Sequence, residues 1–326
     1  MITNIHDNMH GKVLGHDGTA QRFATLMQKN TLPHAWLLHG SRGVGKAMLA
    51  QALAAFYLCE SQADGGLACG ECHSCHMLKA ESHPDFMRLG ILWDDKKKKF
   101  LRDISVGQVR DGLSFLALSG MQSQRRVVLL DDADAMNNQA ANALLKGLEE
   151  PSQGSLLLIV CHDLTRLPAT IRSRCMLEHC APLGKSDMQQ ALKSMALAED
   201  IMPLAAELAL GRPGHVALLQ GSDVAQACLQ WRKQVVDISC ADIGLINDAL
   251  AKYIQMIPHD VIIAILMLSL QETLQQPAAS YAAKESVFQA AQALLAWPKD
   301  VIRHSLRPVP ALISRILDMR GVLKAL

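Results

Sequence analysis

The chain has 326 residues, half of them hydrophobic and only 4% aromatic, with 19% charged and a formal net charge of +1. That length leaves room for two or three domains around a sizeable core, and the near-zero charge excludes the whole-chain basic field of a protein held to nucleic acid by electrostatics alone. The residues after Met1 lack the basic-then-apolar pattern of a secretory leader, and the most apolar run, residues 261–270, is too short to span a bilayer. The expectation is a soluble cytoplasmic protein with no membrane partner. In such a chain nine cysteines suit metal binding and core packing better than disulfides.

Residues 15–29 place Phe23, Leu26 and Met27 at helical spacing, and Pro33 ends the run. Ala35-Trp36-Leu37-Leu38 then reads as a buried strand. Gly40, Gly45 and Lys46 follow in the pattern G-x-x-x-x-G-K, with Gly43 inside the loop, and Met48, Leu49, Ala52, Leu53 and Phe56 mark one face of the next helix. Strand, loop and helix in this order make a phosphate cradle. Glycines let backbone N–H groups turn toward the anion, the helix N-terminus adds positive charge, and Lys46 reaches the terminal phosphates. A glycine-rich turn between strand and helix is the plainer alternative. Ala47 departs from the pattern, because the usual Ser or Thr gives its hydroxyl to Mg²⁺. ATP binding through Lys46 and the loop amides stays open, while Mg²⁺-dependent hydrolysis is expected to be poor or absent.

Cys69, Cys72 and Cys75 are spaced C-x-x-C-x-x-C, with Cys59 ten residues upstream. Four thiolates with no open position describe a closed structural zinc site. A C-x-x-C redox centre is the rival. His73 and His76 stand beside the cysteines and read as bystanders, since the thiolates already complete the set.

Residues 85–89 read as a short strand. The run Asp94-Asp95-Lys96-Lys97-Lys98-Lys99 reads as a solvated turn, with a nucleic-acid contact as the alternative. Val106, Val109, Leu113 and Leu116 restore helical spacing. Val127-Val128-Leu129-Leu130 is a further buried strand that runs into Asp131 and Asp132, an acidic pair at the strand end where open α/β sheets bind ligands. In P-loop ATPases the first such acid helps hold Mg²⁺ and the second orients water. A helix over 137–150, closed by Pro151, and a strand over 156–160 follow. His162 then reads either as the edge of a helix or as a polar group within reach of phosphate. Alternation of strands and helices through residue 180 predicts a mostly parallel sheet with helices on both faces.

The order of the glycine loop, the four cysteines, Asp131-Asp132, the stretch Ala141-Asn142-Ala143-Leu144-Leu145-Lys146-Gly147-Leu148-Glu149-Glu150-Pro151 and Ser173-Arg174-Cys175 resembles the bacterial clamp-loader AAA+ subunits of DNA polymerase III. The resemblance implies an α/β P-loop AAA+ domain with a zinc-knuckle insertion over residues 1–184. A small lid of three helices, the last over residues 215–220, would follow over 185–221, and an all-α collar for oligomerisation over 222–326. It implies a place in the complex that loads the sliding clamp onto primed DNA, beside motor AAA+ subunits and a clamp-opening subunit. It also implies that Arg174 projects into the ATP site of a neighbouring subunit. There a permanently charged planar donor neutralises charge on the transferred phosphoryl group.

Within that family Ala47, Asp132 in place of Glu, and Gly214 in place of a sensing Arg point to a non-motor subunit. An active motor subunit is the alternative, kept open by the complete glycine loop. A zinc-dependent DNA-binding module is a third and weaker reading, disfavoured by neutral charge and by the lack of interleaved basic and aromatic residues. The C-terminal third carries apolar periodicity in five segments, with Pro258, Pro277, Pro298 and Pro308 expected to mark the breaks.

Overall fold

The computed structural model describes residues 13–61, 67–94, 99–101, 103–118, 124–195, 197–235, 242–274 and 281–324. The chain divides into two compact units, Met1–Asp187 and Met188–Leu326.

The first unit is built on a five-stranded parallel sheet of order β2-β5-β6-β1-β7. Its strands are β1 (Ala35–His39), β2 (Phe86–Leu89), β5 (Arg126–Leu130), β6 (Ser155–Cys161) and β7 (Met176–His179). β1, β5 and β6 are apolar along nearly their whole length because helices cover both faces. Period-two alternation divides their side chains between two cores. Trp36, Leu38, Val127, Leu129 and Leu158 pack with Phe23 of α1 (Asp17–Gln28) and Leu49, Leu53 and Phe56 of α2 (Lys46–Leu58). On the other face Leu37, Val128, Leu130, Leu157 and Ile159 meet Val109 and Leu116 of α4 (Val106–Ala117) and Leu144 and Leu148 of α5 (Asn138–Glu149). Short α3 (His73–Lys79) follows the cysteines. α6 (Ala169–Arg172) carries the chain toward β7, and α7 (Lys185–Ser194) follows it.

The chain leaves β1 inside the sheet and re-enters at the far edge as β2, so the carboxyl ends of β1, β6 and β5 open side by side at a switch of direction. Open α/β sheets place ligands at such a point. The glycine loop and the acidic pair both lie there.

Several sequence expectations change. β7 was not foreseen in the segment after Arg174. Where residues 94–99 were read as a turn, β3 (Trp93–Asp94) pairs antiparallel with β4 (Lys99–Phe100); Asp95, Lys96, Lys97 and Lys98 lie outside the described residues. The expected helix at 215–220 is instead two 3-10 turns, Pro213–His215 and Ala217–Gln220.

The second unit is helical, with α8 (Met202–Ala209), α9 (Ser222–Val235), α10 (Ile243–Tyr253), α11 (His259–Leu274), α12 (Tyr281–His304) and α13 (Pro308–Lys324). Trp231, Ile246, Leu250, Ile262, Leu266, Leu294, Trp297, Leu312 and Ile316 are buried in it. The apolar run at 261–270 is the inner helix α11. Pro298 does not break the chain, because α12 continues through it. An interior proline costs a helix roughly 3 kcal/mol, and the burial of Leu294, Trp297 and Val301 around it offsets that cost. No described helix is long and apolar enough to cross a membrane.

Candidate functional site

The loop after β1 has the backbone of an anion cradle. Gly40 has φ +142, and a Cβ there would fall 2.3 Å from the Cys180 carbonyl oxygen, so a side chain is excluded by the neighbouring strand exit. Gly45 has φ +99 and forms the N-cap of α2, the left-handed turn that aims the first helical N–H groups into the loop. Gly43, at φ +87, lies between them. Lys46 is buried, and its Nζ donates to the carbonyls of Gly40 at 2.7 Å and Ser41 at 2.8 Å. An ammonium has three donors, so two hold the loop in shape and one remains for a ligand. Burial, above all, lowers the Lys46 pKa. Buried His16 supports the loop from beneath, its Nε2 lying 2.9 Å from the Val44 carbonyl oxygen. Ala47 follows on the first turn of α2 and presents only a methyl group.

The acidic pair is already engaged. Asp131 Oδ2 accepts from Arg88 Nη2 at 2.7 Å, and its Oδ1 accepts the Asp132 N–H at 3.0 Å. Asp132 turns the chain out of β5 in a left-handed conformation, φ 52, which aspartate tolerates better than most residues. Its Oδ1 accepts from Arg42 Nη2 of the glycine loop at 2.9 Å and also bonds His162 Nε2. The hydrogen bond from His162 is the largest cause holding the Asp132 carboxyl below the usual carboxylate range, against the effect of burial. His162 is therefore not a helix-edge residue. It follows β6, its N–H donates to Asp134 Oδ1 at 2.9 Å, and its ring faces the acidic pair. The sequence drew attention to Lys46, Asp131 and Asp132 but not to Arg42 or Arg88. The glycine pattern leaves position 42 open, and only the pairing of β2 beside β5 brings Arg88 to Asp131.

Arg174 lies between α6 and β7. Its Nη2 contacts Glu149 Oε1 at 2.8 Å, and its Nη1 donates to the Thr170 carbonyl at 3.0 Å. The Arg174 side chain is 38% exposed and that of Glu149 52%. Among the described residues Arg174 bonds to none of Lys46, Asp131 and Asp132.

The four cysteines converge. Their Sγ atoms all lie within 4.8 Å of one another; Cys59–Cys72 and Cys69–Cys75 are 3.9 Å apart and Cys59–Cys75 3.8 Å. Tetrahedral zinc–sulfur bonds of about 2.3 Å require sulfurs about 3.8 Å apart, so the donor set fits that ion. Backbone N–H groups of Cys69, Cys72 and Cys75 donate to the sulfurs of Cys59, Cys69 and Cys72 at 3.3, 3.3 and 3.4 Å, which favours thiolates. The N–H groups of Glu71 and Cys72 draw the Cys69 pKa down to about 7, while burial pushes Cys59 and Cys75 up. His73 and His76 are exposed and stand outside the cluster. Ser74 ties it to the sheet domain, its Oγ donating to the Leu58 carbonyl at 2.8 Å and lying 2.9 Å from His83 Nε2.

A family model described as DNA polymerase III, delta subunit, matches residues 15–183. The DNA polymerase III subunit delta' of Pseudomonas aeruginosa is 41% identical over 206 residues, covering 63% of this chain and 60% of the relative. The subunit delta' of Escherichia coli K12 is 34% identical over 192 residues, covering 58% and 55%. This chain thus matches little more than half the length of these curated relatives. Among solved structures, a DNA polymerase III gamma subunit-related protein of Thermotoga maritima aligns with a TM-score of 0.50 at 15% identity, covering 92% of this chain and 99% of its own. That likeness supports the α/β fold of a parallel sheet flanked by helices.

Proposed function

This chain belongs to the delta-prime family of DNA polymerase III, and from that premise we propose that it serves in the clamp loader as a non-motor subunit. It helps place the sliding clamp on primed DNA, and it acts on ATP only through Arg174, in a neighbouring motor subunit. The observation that carries this reading is the state of its own site. Both acids are bonded to arginines and the metal-binding hydroxyl is replaced by Ala47. Hydrolysis at a P-loop needs a metal held by those groups and a water oriented by the acid; here Ala47 offers the metal no oxygen, Arg88 holds Asp131 and His162 holds Asp132.

Arg174 is suited to the trans role. Its contact with Glu149 is a partly exposed ion pair, a class worth about 0–1 kcal/mol, so the guanidinium is readily exchanged onto phosphoryl oxygens. Its fork of donors matches that geometry. Zinc at Cys59, Cys69, Cys72 and Cys75 would close a structural site that stiffens the insertion and takes no part in catalysis. The segment 185–221 is proposed as the lid and 222–326 as the collar that meets the motor and clamp-opening subunits. A motor role is the second reading, favoured by the complete cradle at Gly40, Gly43, Gly45 and Lys46.

The two readings separate at Lys46. In a reconstituted clamp loader, Lys46→Ala in this chain is expected to leave ATP turnover and clamp loading within about twofold of wild type. In a motor subunit, loss of the loop lysine would remove transition-state stabilisation worth orders of magnitude. A collapse of activity with assembly intact would transfer the motor role to this chain.

A further inference from the structure

Asp131 and Asp132 stand where a P-loop ATPase holds its Mg²⁺, yet each carboxylate already carries a guanidinium: Arg88 at 2.7 Å and Arg42 at 2.9 Å. We infer that this loop takes a nucleoside polyphosphate free of divalent metal, with Arg88 kept on Asp131 and His162 on Asp132, the acids that would otherwise hold Mg²⁺, while Arg42 turns to the phosphates. The inference rests on the reading that the cradle binds phosphate without hydrolysing it, and it names the form of ligand the cradle accepts.

Three features carry it. The cradle is intact as an anion site, because Lys46 keeps a donor beyond the two that hold the Gly40 and Ser41 carbonyls. Arg42 belongs to the loop itself, and its side chain is 67% exposed, so it can leave Asp132 and meet a phosphate without moving the backbone. Asp132 is not stranded by that exchange, since His162 Nε2 remains on the same oxygen. The outcome is one charge-assisted bond traded for another.

Mg²⁺, by contrast, finds no ligand in this chain's site. Arg88 stays on Asp131 and His162 on Asp132 after Arg42 has turned away, and Ala47 has no oxygen to offer. Bound to the polyphosphate alone, the metal would cancel part of the negative charge that Lys46 and Arg42 attract. Affinity for the metal complex is therefore lower than for the free anion.

The test is calorimetric titration of the full chain with ATP, once in excess Mg²⁺ and once in EDTA. Binding in EDTA is expected to equal or exceed that in Mg²⁺, and Arg42→Ala is expected to weaken the EDTA binding by about tenfold or more, the loss of one charge-assisted contact. Urea unfolding of the Arg42→Ala protein controls for folding, and a partly exposed ion pair predicts little change there. Tighter binding in Mg²⁺, no binding in either buffer, or an indifferent Arg42→Ala protein would each overturn the inference. Mg²⁺-tightened binding without turnover would do so while leaving the non-hydrolysing reading intact; ATP turnover by the chain alone would strike that reading itself.

Discussion

Arg174→Ala, introduced into this chain alone and assembled with wild-type partners, is expected to suppress hydrolysis at the receiving ATP site by about a thousandfold or more, the scale of arginine-finger losses. Total turnover of the complex falls by that site's share, and clamp loading falls with it. The chain itself should fold normally, because the residue gives up only a surface contact with Glu149 and a bond to the Thr170 carbonyl. Arg174→Lys is the sharper control. It keeps the charge but loses the planar fork, so a substantial deficit should remain. Single-turnover ATP hydrolysis by the assembled complex measures both. Wild-type rates with Arg174→Ala would remove the trans role.

The second large effect is expected at the cysteine cluster. Purified chain should contain one zinc per molecule, and Cys72→Ser should release it. Structural zinc contributes about 10–16 kcal/mol of apparent binding energy in small zinc-binding peptides. In this chain the loss should appear as local unfolding of the segment from Cys59 to α3. Damage should spread to the end of α2 and the start of β2 through Ser74, which bridges the Leu58 carbonyl and His83. Metal analysis with limited proteolysis is the measurement. A metal-free chain that resists protease as well as wild type would refute a structural metal.

The parts of the fold that were legible in the sequence are those whose signal is local. β1, β5 and β6 announce themselves because a strand buried on both faces needs an unbroken apolar run. The glycine loop and the C-x-x-C-x-x-C spacing are likewise written in adjacent residues. β7 was missed because Glu178 and His179 interrupt its apolar character. The strand is tolerated because Thr19 Oγ1 and Arg22 Nη1, both on α1, each donate to Glu178 at 2.8 Å. The arginine pairs on Asp131 and Asp132 were invisible for the same reason. They join residues 43 and 90 positions apart, and only the sheet order brings them together. Pro298 misled in the opposite sense, since a strong local breaker yielded to the packing around Trp297.

On the proposed non-motor reading, the chain's own site departs from an ATPase in two layers. Ala47 is a missing group and can be read directly. The engaged acids are groups still present but occupied, and their occupation is a property of the fold. Restoring a hydroxyl at position 47 would leave Asp131 and Asp132 paired.

The most direct measurement is ATP turnover by the isolated chain in Mg²⁺, followed to high enzyme concentration. Release of phosphate at no more than the rate of uncatalysed ATP hydrolysis is the expected result. Steady turnover at the rate of a clamp-loader motor subunit, abolished by Lys46→Ala, would contradict a chain that works on ATP only through its neighbour.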